Sequence, residues 1–205
     1  MIARSTAPVV MMCVLLSGCG ANGPGMGPAD GPDTPAGRGT VEIGPVPDSP
    51  EAFAERRYRL CRTPQGAAAA LVTVLLATNE DERTGLTCAT MLLHPDRLRA
   101  GDLHDGREPG QHYRDLLRTA AGKPYIARSY LVGASPGNGY RPDPPLRVRW
   151  RPHDTPSASP ERVRLMLLSA GADNPRPITL RRGDDGLWTV DEASSIFVGV
   201  RPPGG

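Results

Sequence analysis

An α+β fold is expected, with helices first and a curved antiparallel sheet after them, and three observations predict it. Pro64 to Asn79 is apolar nearly all round, as a deeply buried helix would be. Tyr113, Leu116, Leu117 and Ala120 recur at the three- and four-residue spacing of one helix face. After Gly122 the period drops to two, most cleanly in Leu146-Arg147-Val148-Arg149-Trp150-Arg151, where apolar and Arg side chains point to opposite faces. Helices followed by a meander of strands pack as a helical layer on an antiparallel sheet.

Taken in order, the chain opens with Arg4 and no acid in Met1 to Thr6, then the apolar run Ala7 to Leu16, then Ser17 and Gly18. This pattern reads as a secretory signal over residues 1–18, too short to span a bilayer as a mature helix. The run Leu16-Ser17-Gly18-Cys19 resembles a bacterial lipobox. That resemblance implies cleavage before Cys19 and diacylation of its sulfur, an anchor that two or three acyl chains make effectively permanent. It also implies a place in the cell envelope. Because Gly20 stands where Asp would resemble inner-membrane retention, a Gram-negative host would send the protein to the outer membrane; any other host would hold it on the extracytoplasmic face of the cell membrane.

Residues 19–50 read as the lipidated Cys19 and a disordered Gly/Pro-rich tether, with little apolar surface apart from Met26 and Val41 to Val46. A coil of that length spans about 30 Å. Residues 51–205 have the size of a single globular domain. With Cys13 removed in the signal and Cys19 consumed by lipid, Cys61 and Cys88 remain in an oxidising compartment. A disulfide between them is expected, closing a loop of about 27 residues worth roughly 3–4 kcal/mol; two separate buried thiols are the alternative.

Within the domain, Thr63 caps and Pro64 starts the first long helix, a second is expected over Leu86 to Leu93, and Gly122 stops a third. Strands are expected over Tyr125 to Val132, Leu146 to Arg151, Arg162 to Leu168, Ile178 to Arg182, Leu187 to Asp191 and Ile196 to Val200. Turns at Asn138-Gly139 and Gly183-Asp184-Asp185-Gly186 separate them. This order is similar to that of cone-shaped NTF2-like domains, in which a curved sheet wraps a long helix; Pro64 to Asn79 would take that place.

The segments Ser129-Tyr130-Leu131-Val132-Gly133-Ala134-Ser135-Pro136-Gly137-Asn138-Gly139-Tyr140, Gly171 to Ile178, Leu187 to Glu192 and Ser194-Ser195-Ile196 resemble an uncharacterised domain family of envelope lipoproteins and secreted proteins. The resemblance carries no catalytic residues with it.

Chemistry-bearing motifs are few in this sequence. Gly133-Ala134-Ser135-Pro136-Gly137 matches the G-x-S-x-G pattern of a nucleophile elbow, but Pro136 lacks the N–H that would serve the oxyanion, so a turn is expected. None of His94, His104, His112 and His153 stands in a metal-binding spacing; His94, Asp96, His104 and Asp105 read as a solvated polar loop. No cofactor motif is present. Lys123 is the single lysine among 24 basic residues and the net charge is +2, a balance that implies no nucleic-acid partner.

Arg147, Arg149 and Arg151 line one strand face, with Arg162, Arg164 and Arg181 on neighbouring strands. They are either a solvated face or a ligand-binding patch for anions or headgroups, since Arg pairs bidentately with phosphate and carboxylate. Two functions from different classes follow. One is a non-catalytic envelope lipoprotein that binds an envelope protein, peptide or cell-wall component. The other is an enzyme of hydrolase or cyclase type with a site in the sheet cavity. A filled apolar interior favours the first and a polar pocket there the second.

Overall fold

The first long helix is built as its sequence requires. Thr63 accepts a hydrogen bond from Gly66 N–H, Pro64 takes the first helical position, and α2 (Pro64–Glu80) runs on as a core element, buried at nearly every position through Thr78. Its two buried threonines are satisfied within the helix: the Thr73 and Thr78 hydroxyls donate to the carbonyls of Ala69 and Val74. Two helices lie beside it. α1 (Pro50–Leu60) begins at Ser49, whose side chain accepts from Ala52 N–H. α3 (Glu82–Leu92) begins at Asp81, whose N–H closes α2 while its carboxylate caps α3 through Thr84 N–H. Glycines permit the close crossings, since a Cβ on Gly66 would lie 1.9 Å from the Leu60 carbonyl and one on Gly85 2.1 Å from Thr78 Oγ1.

In this computed structural model, residues 37–157 and 159–204 are described, all within one compact unit, Pro32–Gly205. The signal segment and Cys19 lie outside the described residues. After α3 comes a 3-10 turn, Pro95–Arg97, and then a small hairpin of β2 (Leu98–His104) and β3 (Arg107–Pro109) that the sequence presented as a polar loop. Its tip is Asp105-Gly106, both with positive φ, as a tight Asp-Gly hairpin demands. α4 (Gln111–Ala121) ends at Gly122, as expected.

The main sheet is antiparallel and consists of β1 (Gly39–Glu42), β4 (Arg147–Pro152), β5 (Arg162–Leu167), β6 (Arg176–Arg182) and β7 (Trp188–Glu192), in spatial order β1-β4-β5-β6-β7. Val148, Val163, Leu165, Leu167, Ile178, Leu180 and Val190 are buried, and α2 packs against all five strands. Helices and antiparallel strands thus form the α+β arrangement expected. The interior of the sheet is an apolar core filled by α2.

Four expectations need correction. The folded part begins before Glu51: β1 pairs with β4, Ile43 is buried and Ser49 caps α1, so the short apolar segment after Gly39 adds a strand to the sheet. Tyr125 to Val132 is not a strand but holds α5 (Tyr125–Arg128), with an isolated bridge from Leu131 to Val148. Its buried residues, Ile126-Ala127 and Tyr130-Leu131, repeat at four, a helical period. Ile196 to Val200 is likewise not a strand; Ser194–Phe197 forms a 3-10 turn that buries Ile196 and Phe197 side by side. Finally, Cys61 and Cys88 are free thiols, both fully buried. Burial pushes each thiol up to about 12, and both pack as small apolar side chains.

Candidate functional site

Where β6 meets β7 the register shifts between Thr179 and Leu180, and Asp191 is the extra residue of the bulge: Thr179 faces Glu192 and Leu180 faces Val190. Bulges re-aim side chains, and this one presents a carboxylate toward the arginines of the outer face. Arg97, delivered by the 3-10 turn after α3, donates through Nε to the Asp191 carbonyl at 2.7 Å and through Nη2 to Oδ1 at 2.9 Å. Arg162 Nη2 lies 3.0 Å from Oδ2. The Tyr113 hydroxyl, from α4, donates to the Asp191 carbonyl and accepts from Ala193 N–H. Asp191 is thereby fixed on both backbone and side chain, and its hydrogen bond holds the Arg97 guanidinium above its ordinary range.

A third arginine joins from β6. Arg181 stands directly opposite Arg162 in the β5–β6 register. Its Nη1 donates to Asp96 Oδ2 at 2.7 Å, and this bond holds the Asp96 carboxyl below its usual range. His94 closes the group: its Nδ1 accepts from Asp96 N–H at 3.2 Å and lies 3.4 Å from Arg181 Nη1. Accepting from the Asp96 N–H leaves Nδ1 the unprotonated nitrogen in this arrangement, although Asp96 Oδ2 also lies 3.4 Å from it. Burial, followed by the neighbouring Arg181, pulls His94 below its ordinary pKa.

An open cleft of about 880 Å³ lies over this cluster, its walls carrying His94, Arg97, Arg162, Arg181 and Arg182 with Glu161, Asp184 and Asp191. Such a surface can bind a charged ligand by forked hydrogen bonds. A second acid–arginine junction serves the scaffold: Glu108 of β3 pairs with Arg99 at 2.7 Å and with Arg114 of α4, tying the small hairpin to that helix.

The strand arginines singled out from the sequence lie elsewhere. Arg147 stands opposite Glu42 and Arg149 opposite Thr40, while Arg151 is engaged by Asp154 at 2.6 Å; none of the three lines the cleft. Of the neighbours named with them, Arg162 and Arg181 do. His94 and Asp96 form one pair and His104 and Asp105 another, and among the described residues no three His, Cys, Asp or Glu side chains gather as metal ligands would. Ser135 is the cap of a 3-10 turn, Pro136–Asn138, in a reciprocal box with Asn138. Trp188 and Tyr130 belong to the core, while Trp150 is half-buried.

A family model described as a domain of unknown function (DUF6935) matches residues 45–204, a range that takes in the Ser49 cap and begins just after β1. Comparison with curated proteins and with solved structures found no match.

Proposed function

The chain belongs to the DUF6935 family of domains of unknown function, and on that footing we propose that it is a lipid-anchored protein of the bacterial cell envelope whose folded part is a non-catalytic binding module. The anchor is Cys19, in the run Leu16-Ser17-Gly18-Cys19 after a short apolar segment. The Gly/Pro-rich stretch from Gly20 to Arg38 spaces the domain from the membrane. Among the described residues no helix is long and apolar enough to cross a bilayer, so in this reading the acyl chains do the holding.

The observation that carries the binding reading is the filled interior of the sheet. A catalytic cavity there would need polar groups converging on open space, and α2 occupies that volume with Ala69, Leu71, Val72 and Leu75. The polar cleft faces outward, where a partner can reach it.

Cys19→Ser in the full chain tests the anchor. Metabolic labelling with a fatty acid should mark the parent protein and leave the variant unlabelled and released from membranes. Label retained by the variant would overturn the lipidation.

A further inference from the structure

We propose that the outer-face cleft binds a phosphoryl group, gripped by the guanidinium groups of Arg97, Arg162 and Arg181 with Asp191 as their positioning residue. The inference rests on the binding-module reading and names the ligand class that module takes. Like charges directly opposite each other on one sheet face are unfavourable, yet Arg162 and Arg181 are cross-strand partners. The carboxylates that compensate them come from outside the pair: Asp191 from the bulge of β7 and Asp96 from the 3-10 turn.

Three guanidiniums against these two carboxylates leave one positive charge in the trio. The donors are unevenly spent. Among the described residues, Arg162 Nε and Nη1, Arg181 Nε and Nη2, and Arg97 Nη1 have no hydrogen-bond partner, whereas the inward-facing nitrogens are committed to Asp191 and Asp96. The carboxylate at the centre is the hidden member: the Asp191 side chain is 3% exposed, against 38%, 58% and 38% for Arg97, Arg162 and Arg181. Its burial makes it scaffold, and their exposure makes them the contact surface.

A carboxylate ligand is planar and is saturated by one or two forks; a phosphoryl group is tetrahedral and sets its terminal oxygens, three in a monoester and two in a diester headgroup, out of a single plane, as donors arriving from three elements require. The rim acids Glu161 and Asp184 limit affinity for indiscriminate polyanions.

The test is calorimetric titration of the full chain in detergent with inorganic phosphate, beside acetate, and co-sedimentation with phosphatidylglycerol vesicles against phosphatidylcholine ones. Saturable binding of phosphate identifies a soluble phosphoryl compound as the source, and binding confined to the phosphatidylglycerol vesicles identifies a lipid headgroup; either supports the site. Arg162→Gln and Arg181→Gln should each weaken that binding at least tenfold with unchanged circular dichroism, and Arg181→Lys should fall between. Arg164→Gln, on the same strand face but outside the cleft, should bind as the parent does. Equal binding by parent and Arg162→Gln/Arg181→Gln, or no binding of either phosphoryl probe, would overturn the site. Acetate binding alone, with the same arginine dependence, would overturn the phosphoryl class and leave the binding module standing.

Discussion

Asp191 holds two arginines and is itself held by Tyr113, so its loss should be felt as stability. Asp191→Asn is expected to destabilise the fold by about 1.5–3 kcal/mol, the range for hydrogen bonds to charged groups. The full penalty of stranding a buried charge does not apply, because Arg97 and Arg162 remain hydrated at 38% and 58% exposure. Urea unfolding measures it, and an unchanged midpoint would contradict the role assigned to the bulge. His94 acts in the opposite sense. Its folded pKa lies below the ordinary 6.5, so the unfolded chain takes up the proton first. Its contribution is present above pH 6.5 and is lost as pH falls from there toward the folded value. Asp96, lowered from 3.8, adds its own loss only below that value. Stability should therefore decline as pH falls below 6.5, and His94→Asn should flatten the part of that limb above pH 4.5, below which Glu192, also held low in the folded chain, adds its own loss. A decline of equal slope in the variant would show that another group titrates.

At the scale of elements, α2 is the part on which the others are assembled, touching every strand of the main sheet. Leu75→Ala should cost about 2–5 kcal/mol, as a cavity in a core that cannot collapse; a thermal melt like the parent's would mean that α2 is not the centre of packing. The ends of this helix were legible because Thr63-Pro64 is a local signal, and Gly122 ended α4 for the same reason. α5 was not legible: Tyr125 to Val132 alternates loosely, and only the burial of Ile126-Ala127 with Tyr130-Leu131 reveals the helical period. The arginine site was half legible. Arg162 and Arg181 stood on readable strands, but Arg97 arrives from 94 residues away and Asp191 is aimed by a bulge, which has no signature in the local sequence. Arg147, Arg149 and Arg151 have the clearest alternation in the chain, yet they stand on β4, next to the strand that carries Arg162.

Across the whole molecule, the boundary between domain and leader can be tested by truncation. Removing Gly20 to Ala36 should leave the melting temperature nearly unchanged. Removing Gly20 to Pro50 should lower it markedly, because β1, the buried Ile43 and the Ser49 cap go with it. Equal melting of the two truncations would mean that β1 contributes nothing to the fold. The two buried cysteines, unpaired and held as neutral thiols, place the stability of the domain in its apolar core and not in a covalent staple.

The proposal that this domain is carried on a lipid anchor is tested most directly by the intact mass of the protein extracted from membranes of cells that make it. The expected mass is that of a chain beginning at Cys19 with a diacylglyceryl group, with or without a further acyl chain on the new amine. A mass matching unmodified residues 1–205, or a chain cut elsewhere and bearing no lipid, would contradict it.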